Sequence, residues 1–235
     1  MRIRGVLFDL YGTLIVYGDM EKAWDAWYSV IFDAFCTSGL SLTYGQFRPY
    51  CEGFFDRPEP VGFAEELTVV ERRLQRLAEE VNVEMPRASA LLAIEKSIHI
   101  WHDYVQIDPA AKDVLRLIGR NRSLALVSNF DYAPYVHDLM VRWELEPFFD
   151  TILVSDAVGV KKPHPDIFRQ ALQRLELSAE QTIHVGDSRE DVEGALGAGI
   201  RPVWIDRQRN NRWQADPSMG VTRISALSEI LDMLD

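Results

Sequence analysis

The hydrophobic pattern changes character twice along the chain. Ile3-Arg4-Gly5-Val6-Leu7-Phe8 forms a short apolar run that stops at Asp9-Leu10-Tyr11-Gly12-Thr13, and it reads as a buried strand. From about Met20 to Tyr104 the period is helical and no strand is expected. Trp24, Trp27, Tyr28, Ile31 and Phe35 fall on one helical face, with Gly39 as the stop. A second, short helix follows Thr43, and Arg57-Pro58-Glu59-Pro60 must interrupt helix. Glu65 to about Val81 reads as a long helix with Leu67, Val70, Leu74 and Leu77 on one side. Pro86 opens another that runs through Leu91, Ile94, Ile98 and Trp101.

From Asp108 onward, strands and helices alternate. The apolar, β-rich runs are Leu124–Val127, Thr151–Val154, Thr182–Val185 and Pro202–Ile205. The helical stretches are Ala110–Gly119, Ala133–Trp143, Pro165–Leu175 and Asp191–Gly197. Ser178-Ala179-Glu180-Gln181 has capping-box spacing and closes a single helical turn before a strand. Such alternation means a parallel sheet with helices on both faces. With the first strand the sheet has five strands, and an all-helical insert follows strand one. The expected division is residues 1–16 with 108–235 for the sheet domain, and 17–107 for the insert.

Composition narrows the function classes. With 47% hydrophobic and 26% charged residues, the 235-residue chain is globular: one large domain, or one domain carrying an insert. Lys and Arg number 25 against 36 Asp and Glu, a net charge of −11, which argues against nucleic-acid or anionic-membrane binding. The first apolar run meets Asp9 too early for a signal segment, and no stretch approaches the roughly 18–20 apolar residues of a membrane span. Cys36 and Cys51 read as two reduced cysteines of a cytoplasmic protein. His99 and His102 have spacing that could share a metal, but no third ligand is in view, so they read as helix-surface histidines.

Open parallel sheets bind ligands outside the carboxyl ends of their strands. Four polar clusters fall there. Asp9-Leu10-Tyr11-Gly12-Thr13 follows strand one and Ser128-Asn129-Phe130-Asp131 strand two. Gly159-Val160-Lys161-Lys162-Pro163 comes slightly beyond strand three, and Gly186-Asp187-Ser188-Arg189-Glu190-Asp191 follows strand four. Each alone reads as a turn, because Asp, Asn, Ser and Gly are turn formers. Together they place carboxylates, a hydroxyl and a cation at one sheet edge, as carboxylate attack on an anionic substrate requires.

On these residues the chain resembles the haloacid dehalogenase superfamily of hydrolases. Asp9-Leu10-Tyr11-Gly12-Thr13-Leu14 is similar to its first motif and Ser128-Asn129 to its second. Lys162-Pro163 is similar to the third, and Gly186-Asp187-Ser188-Arg189-Glu190-Asp191 to the fourth. The resemblance implies a Rossmann-like three-layer α/β/α core, with the helical insert as its cap. It implies Asp9 as the nucleophile, forming a covalent ester or aspartyl-phosphate. Ser128 and Lys162 would hold the substrate's anionic oxygens, with Gly12 and Asn129 also in the substrate site. Thr13 would orient Asp9. Lys162 is preferred to Lys161 because the family's lysine directly precedes the proline. Mg2+ would be bound by Asp9, the Tyr11 carbonyl and Asp187, with Asp191, and then Glu190, supporting the site.

Tyr11 is the departure. Phosphatases of the superfamily carry a second aspartate there as general acid, whereas members that dehalogenate 2-haloacids carry tyrosine. Halide leaves as a stable anion, but an alkoxide needs a proton, and a phenol with a pKa of about 10 supplies one poorly. Asp187 points the other way, since without a divalent ion it would face Asp9 as a repelling carboxylate. The expectation is an Mg2+-dependent phosphatase acting on a small phosphorylated metabolite. A metal-independent 2-haloacid dehalogenase is the first alternative. A degenerate member that binds a phosphorylated ligand or protein partner is the second, opposed by the intact Asp9, Ser128, Lys162 and Asp187. Arg48 and Arg57 lie where a dehalogenase would grip a haloacid carboxylate, but both read as solvated surface residues. Of the insert's aromatics most should be core, while Tyr17 and Trp24 are expected to face the substrate. The partner is a small molecule, neither nucleic acid nor membrane, and a homodimer is allowed for.

Overall fold

The structure is a computed structural model that describes residues 2–64, 66–207 and 219–234. In chain order its strands are β1 (Gly5–Phe8), β2 (Ile15–Tyr17), β3 (Val105–Ile107), β4 (Ser123–Ser128), β5 (Thr151–Val154), β6 (Thr182–Gly186), β7 (Arg201–Ile205) and β8 (Thr222–Ile224). Its α-helices are α1 (Met20–Thr37), α2 (Tyr44–Cys51), α3 (Val69–Glu80), α4 (Arg87–His102), α5 (Ala111–Ile118), α6 (Ala133–Arg142), α7 (Ser155–Val158), α8 (Pro165–Leu175) and α9 (Arg189–Gly197). The chain divides into two compact units, Met1–Val16 with Ile107–Asp235, and Tyr17–Gln106.

The first unit holds a parallel sheet of six strands in the order β5-β4-β1-β6-β7-β8. Five were expected. The sixth, β8, has only three residues, too few to show a period. The central strands are buried on both faces, which is why they read as unbroken apolar runs. Leu7, Ala125, Val127 and Leu153 pack beneath Ile167, Phe168 and Ala171 of α8 and Ala195 of α9, and the alternate residues Val6, Phe8, Leu124 and Leu126 are equally buried. β1 lies between β4 and β6, with Gly5 in register with both Ser123 and Thr182. The strand that ends at Asp9 is therefore flanked by the strands that end at Ser128 and just before Asp187. Ser178 does open a single turn, at Ala179–Gln181, closed by the expected capping box.

The second unit is helical. α1 buries Trp27, Tyr28, Ile31 and Phe35 and packs on α4, which buries Ala90, Ala93, Ile94 and Ile98. The long helix expected from Glu65 begins at Val69, where Thr68 caps it and Glu71 returns the bond. Glu65 itself lies outside the described residues. His102 is buried beside Trp101 and not on the surface, whereas His99 is exposed. Arg48 pairs with Asp25, and the half-buried Arg57 donates to the Tyr50 and Glu52 carbonyls. Trp24 stacks on Trp27, and Tyr17 meets the edge of Trp101. Of the other aromatics Phe47 and Phe54 are core, but Tyr44 and Phe55 are exposed. Both cysteines are free, Cys36 exposed and Cys51 buried. Among the described residues no helix is long and apolar enough to cross a membrane.

Candidate active site

The four strand-end clusters meet within the sheet unit. Asp9 leaves β1 with its N–H donated to the Val185 carbonyl of the neighbouring strand at 2.9 Å, so the sheet itself aims the side chain. The next residues close a tight turn: Leu14 and Ile15 both donate to the Leu10 carbonyl, and Gly12 donates to Ile15 at 2.7 Å. Gly12 has φ +90°, and a Cβ there would lie 2.1 Å from Asp187 Oδ2. Only glycine allows the turn and the Asp187 carboxylate to come this close.

Among the described residues, Lys162 is the cation that pairs with the clustered carboxylates. It is 3% exposed, and its Nζ donates at 2.6 Å to both Asp9 Oδ1 and Asp191 Oδ1. Lys161 is exposed. The Asn129 side chain accepts from the Lys162 N–H at 2.8 Å and donates to the Lys162 carbonyl at 2.9 Å, so it clamps the lysine's main chain. Asp191 has both oxygens committed: Oδ1 to Lys162 and to His184 Nε2 at 2.8 Å, Oδ2 to the Ser188 hydroxyl and N–H that cap α9. Gly186 leaves room for it, since a Cβ there would lie 2.2 Å from the Asp191 carboxyl carbon. Glu190 is exposed.

Asp9 Oδ2, Thr13 Oγ1 and Ser128 Oγ are among the buried polar atoms of the described residues that have no protein partner. Leaving such atoms unsatisfied costs about 1–3 kcal/mol each, and a ligand that pairs them recovers that cost. Tyr11 is 9% exposed, and its ring stacks on Phe130 at 5.2 Å and 14°. Asp187 is half-buried, and its carbonyl accepts from Trp204 Nε1 at 3.0 Å.

The electrostatics follow from this crowding. Burial, against the pull of Lys162 and with the push of Asp191, raises the Asp9 carboxyl from 3.8 to about 6. Burial and the charges of Asp9 and Asp191 raise Asp187 from 3.8 to about 8. Burial also works against Asp191, but Lys162 and His184 outweigh it and hold that group well below the usual carboxylate range. Lys162 stays charged, because Asp191 and Asp9 overcome its burial. Oxygens of Asp9, Asp187 and Asp191 all lie within 4.8 Å of one another, the one group of possible metal ligands found among the described residues. His99 and His102 are not part of any such group.

Reading the sequence alone missed two residues here. His184 sits inside the apolar run of β6, fully buried, and the signal was a lone polar residue in a central strand. Arg207, beyond β7, has no signal of this kind.

A parallel sheet with carboxylates, a lysine and unpaired hydroxyls gathered at its carboxyl edge is the arrangement of a hydrolase built on a Rossmann-like α/β core. The chain belongs to the haloacid dehalogenase-like hydrolases, whose sequence pattern matches residues 3–199. It is similar to a glyceraldehyde 3-phosphate phosphatase of Pyrococcus furiosus, 44% identical over 102 residues, 43% of this chain and 42% of that protein. A phosphorylated carbohydrates phosphatase of Thermotoga maritima is 25% identical over 99% of this chain and 98% of its own. The chain thus spans under half the length of the first relative and nearly all of the second. Among solved structures, a HAD phosphatase from Thermococcus onnurineus superposes with TM-score 0.71 at 20% identity, covering 100% of this chain and 98% of that one. A 2-haloacid dehalogenase from Pseudomonas syringae pv. Tomato DC3000 superposes with TM-score 0.70 at 24% identity, covering 99% and 98%. At these identities both show the fold alone.

Proposed function

We propose that this protein is a phosphatase that hydrolyses a small phosphorylated metabolite through an aspartyl-phosphate on Asp9, with Mg2+ as cofactor. The observation that carries the reading is the buried, unpartnered Asp9 Oδ2 beside Asp187, with one lysine to balance three carboxylates. An all-oxygen donor set of this charge fits a hard divalent cation. Asp9, Asp187 and the Tyr11 carbonyl would hold the ion, which neutralises the carboxylates and the phosphoryl oxygens when bound. Asp191 acts from behind, since its oxygens already serve Lys162, His184 and Ser188.

In this reading Asp9 Oδ2 attacks phosphorus while the bond to the ester oxygen breaks. Lys162 keeps Asp9 ionised and, with the Ser128 hydroxyl, pairs with the phosphoryl oxygens. The Thr13 hydroxyl, unpartnered in the structure, would orient Asp9 once it turns to the carboxylate. Water then attacks the acyl phosphate, releasing phosphate and restoring the carboxylate. The leaving oxygen has no carboxylic acid at position 11 to protonate it. Curated relatives named as phosphatases support the reading. Tyr11 supports 2-haloacid dehalogenation as the second reading, in which Asp9 displaces halide and no ion is needed.

The experiment is turnover of phosphate esters, acyl phosphates and 2-chloropropionate, each with Mg2+ and with chelator, by the protein and by Asp9→Asn. Phosphate release that needs Mg2+ and is abolished in a folded Asp9→Asn protein is the expected result. Chloride release in excess chelator would replace the proposal with the second reading.

A further inference from the structure

Arg207 follows β7, outside the four motifs, and 21% of its side chain is exposed. Each nitrogen of its guanidinium has its own acceptor. Nε donates to the Gly12 carbonyl at 3.1 Å and one terminal nitrogen to the Thr13 carbonyl at 2.6 Å. The other lies 2.6 Å from Asp108 Oδ2. Asp108 is itself fixed, donating its N–H to the Leu14 carbonyl at 2.9 Å and accepting from Ala110 N–H at 2.7 Å. The turn that follows Asp9 closes on itself through Leu10, Gly12 and Ile15, and the arginine grips its Gly12 and Thr13 carbonyls from outside.

We propose that Arg207 is a positioning residue for the reaction of Asp9, acting through the main chain of the Gly12-Thr13 turn. The inference rests on the phosphatase reading. That turn carries the Tyr11 carbonyl, the Thr13 hydroxyl and the glycine that faces Asp187. A shift of the turn therefore moves three parts of the site at once. A planar fork with separated donors suits two carbonyls and a carboxylate, whereas a lysine offers a point charge that satisfies Asp108 and leaves the carbonyls. Arg207 bonds neither the Thr13 and Ser128 hydroxyls nor Asp9 Oδ2, which have no protein partner. Its loss should therefore weaken the transition state more than the bound ground state, and a misplacement of about 1 Å can cost about 10²-fold in rate.

The test compares the full-length protein with Arg207→Lys and, as a milder variant, Asp108→Asn, which keeps a neutral acceptor. Thermal melting shows which variants are folded. With p-nitrophenyl phosphate and Mg2+, kcat should fall about 10–100-fold in Arg207→Lys while KM changes little. Inhibition by vanadate, which mimics the five-coordinate phosphorus, should weaken in step with kcat, and inhibition by inorganic phosphate should not. Amide hydrogen exchange of Gly12, Leu14 and Ile15 should quicken relative to the β1 amides, an arm that needs no activity. Folded Arg207→Lys with unchanged kcat, or with unchanged exchange at the turn, overturns the proposal. Equal loss of phosphate and vanadate binding would also overturn it, by making Arg207 a ligand of the substrate. A wild-type protein that hydrolyses no phosphate ester refutes the phosphatase reading instead, and the exchange arm then decides the role of the clamp.

Discussion

Asp187→Asn offers a test of the charge balance that underlies the metal assignment. In the folded protein Asp187 is raised from 3.8 to about 8, first by burial and then by Asp9 and Asp191. A carboxyl raised on folding binds its proton more tightly in the native state than in the unfolded chain. Its contribution to stability is therefore complete below about pH 4 and is lost as pH rises toward about 8. Each unit corresponds to about 1.4 kcal/mol, so the step from about pH 5 to pH 8 removes at most about 4 kcal/mol through this group. Solvent reaches the half-buried carboxylate and reduces that to roughly 2–4 kcal/mol. For a chain of this size 1 kcal/mol moves the melting temperature by roughly 2–4 °C, so the melting temperature should fall by about 5–15 °C. Melting would be followed by fluorimetry across this range, with chelator and with Mg2+. In chelator the wild-type curve should fall more steeply than that of Asp187→Asn, and Mg2+ should restore wild type at high pH without raising the variant. Parallel curves for the two proteins in chelator would refute the claim that Asp187 is charged at a cost that a cation relieves.

Two further outcomes concern the turn after Asp9. If the missing acid at position 11 limits the leaving group, aryl and acyl phosphates should outrun alkyl phosphates. Tyr11→Asp should narrow that gap, within the roughly 10²–10⁴-fold range of general acid catalysis, and steady-state rates on one aryl and one alkyl ester in both proteins measure it. Gly12→Ala should drive Asp187 out of place, because the added carbon meets it at 2.1 Å with φ at +90°. The left-handed backbone alone costs about 1–2 kcal/mol, and loss of the Mg2+ response in melting, beyond that stability loss, is the measurement.

Much of the fold was legible because its central strands are buried on both faces and flanked by turn residues, as at Leu124–Val127 within β4 and Thr182–Val185 within β6; the edge strand Thr151–Val154 and the helix Pro165–Leu175 also match the boundaries read from the sequence. β2, β3 and β8 were not legible, since three residues cannot display a period of two. The site's carboxylates and lysine stand at strand ends and could be read as a set. Their partners could not. Asn129 turns to the main chain of Lys162, and Arg207 to the main-chain carbonyls of Gly12 and Thr13. Main-chain acceptors exist at every residue and leave no trace in composition. His184 was hidden differently, because its partner Asp191 lies across a strand end, a turn and a helix start.

The way the helical insert is stitched in has a consequence for how such proteins diversify. β2 and β3 pair with each other, and Gly18 donates to the Tyr104 carbonyl at 2.8 Å, so the insert leaves and rejoins the sheet unit through adjacent backbone. A segment whose ends are already tied can grow, shrink or be exchanged with little entropic consequence, since doubling a loop costs only about 0.6 kcal/mol. Swapping the stretch between Gly18 and Tyr104 for that of a relative is therefore a more natural engineering step here than altering the sheet edge.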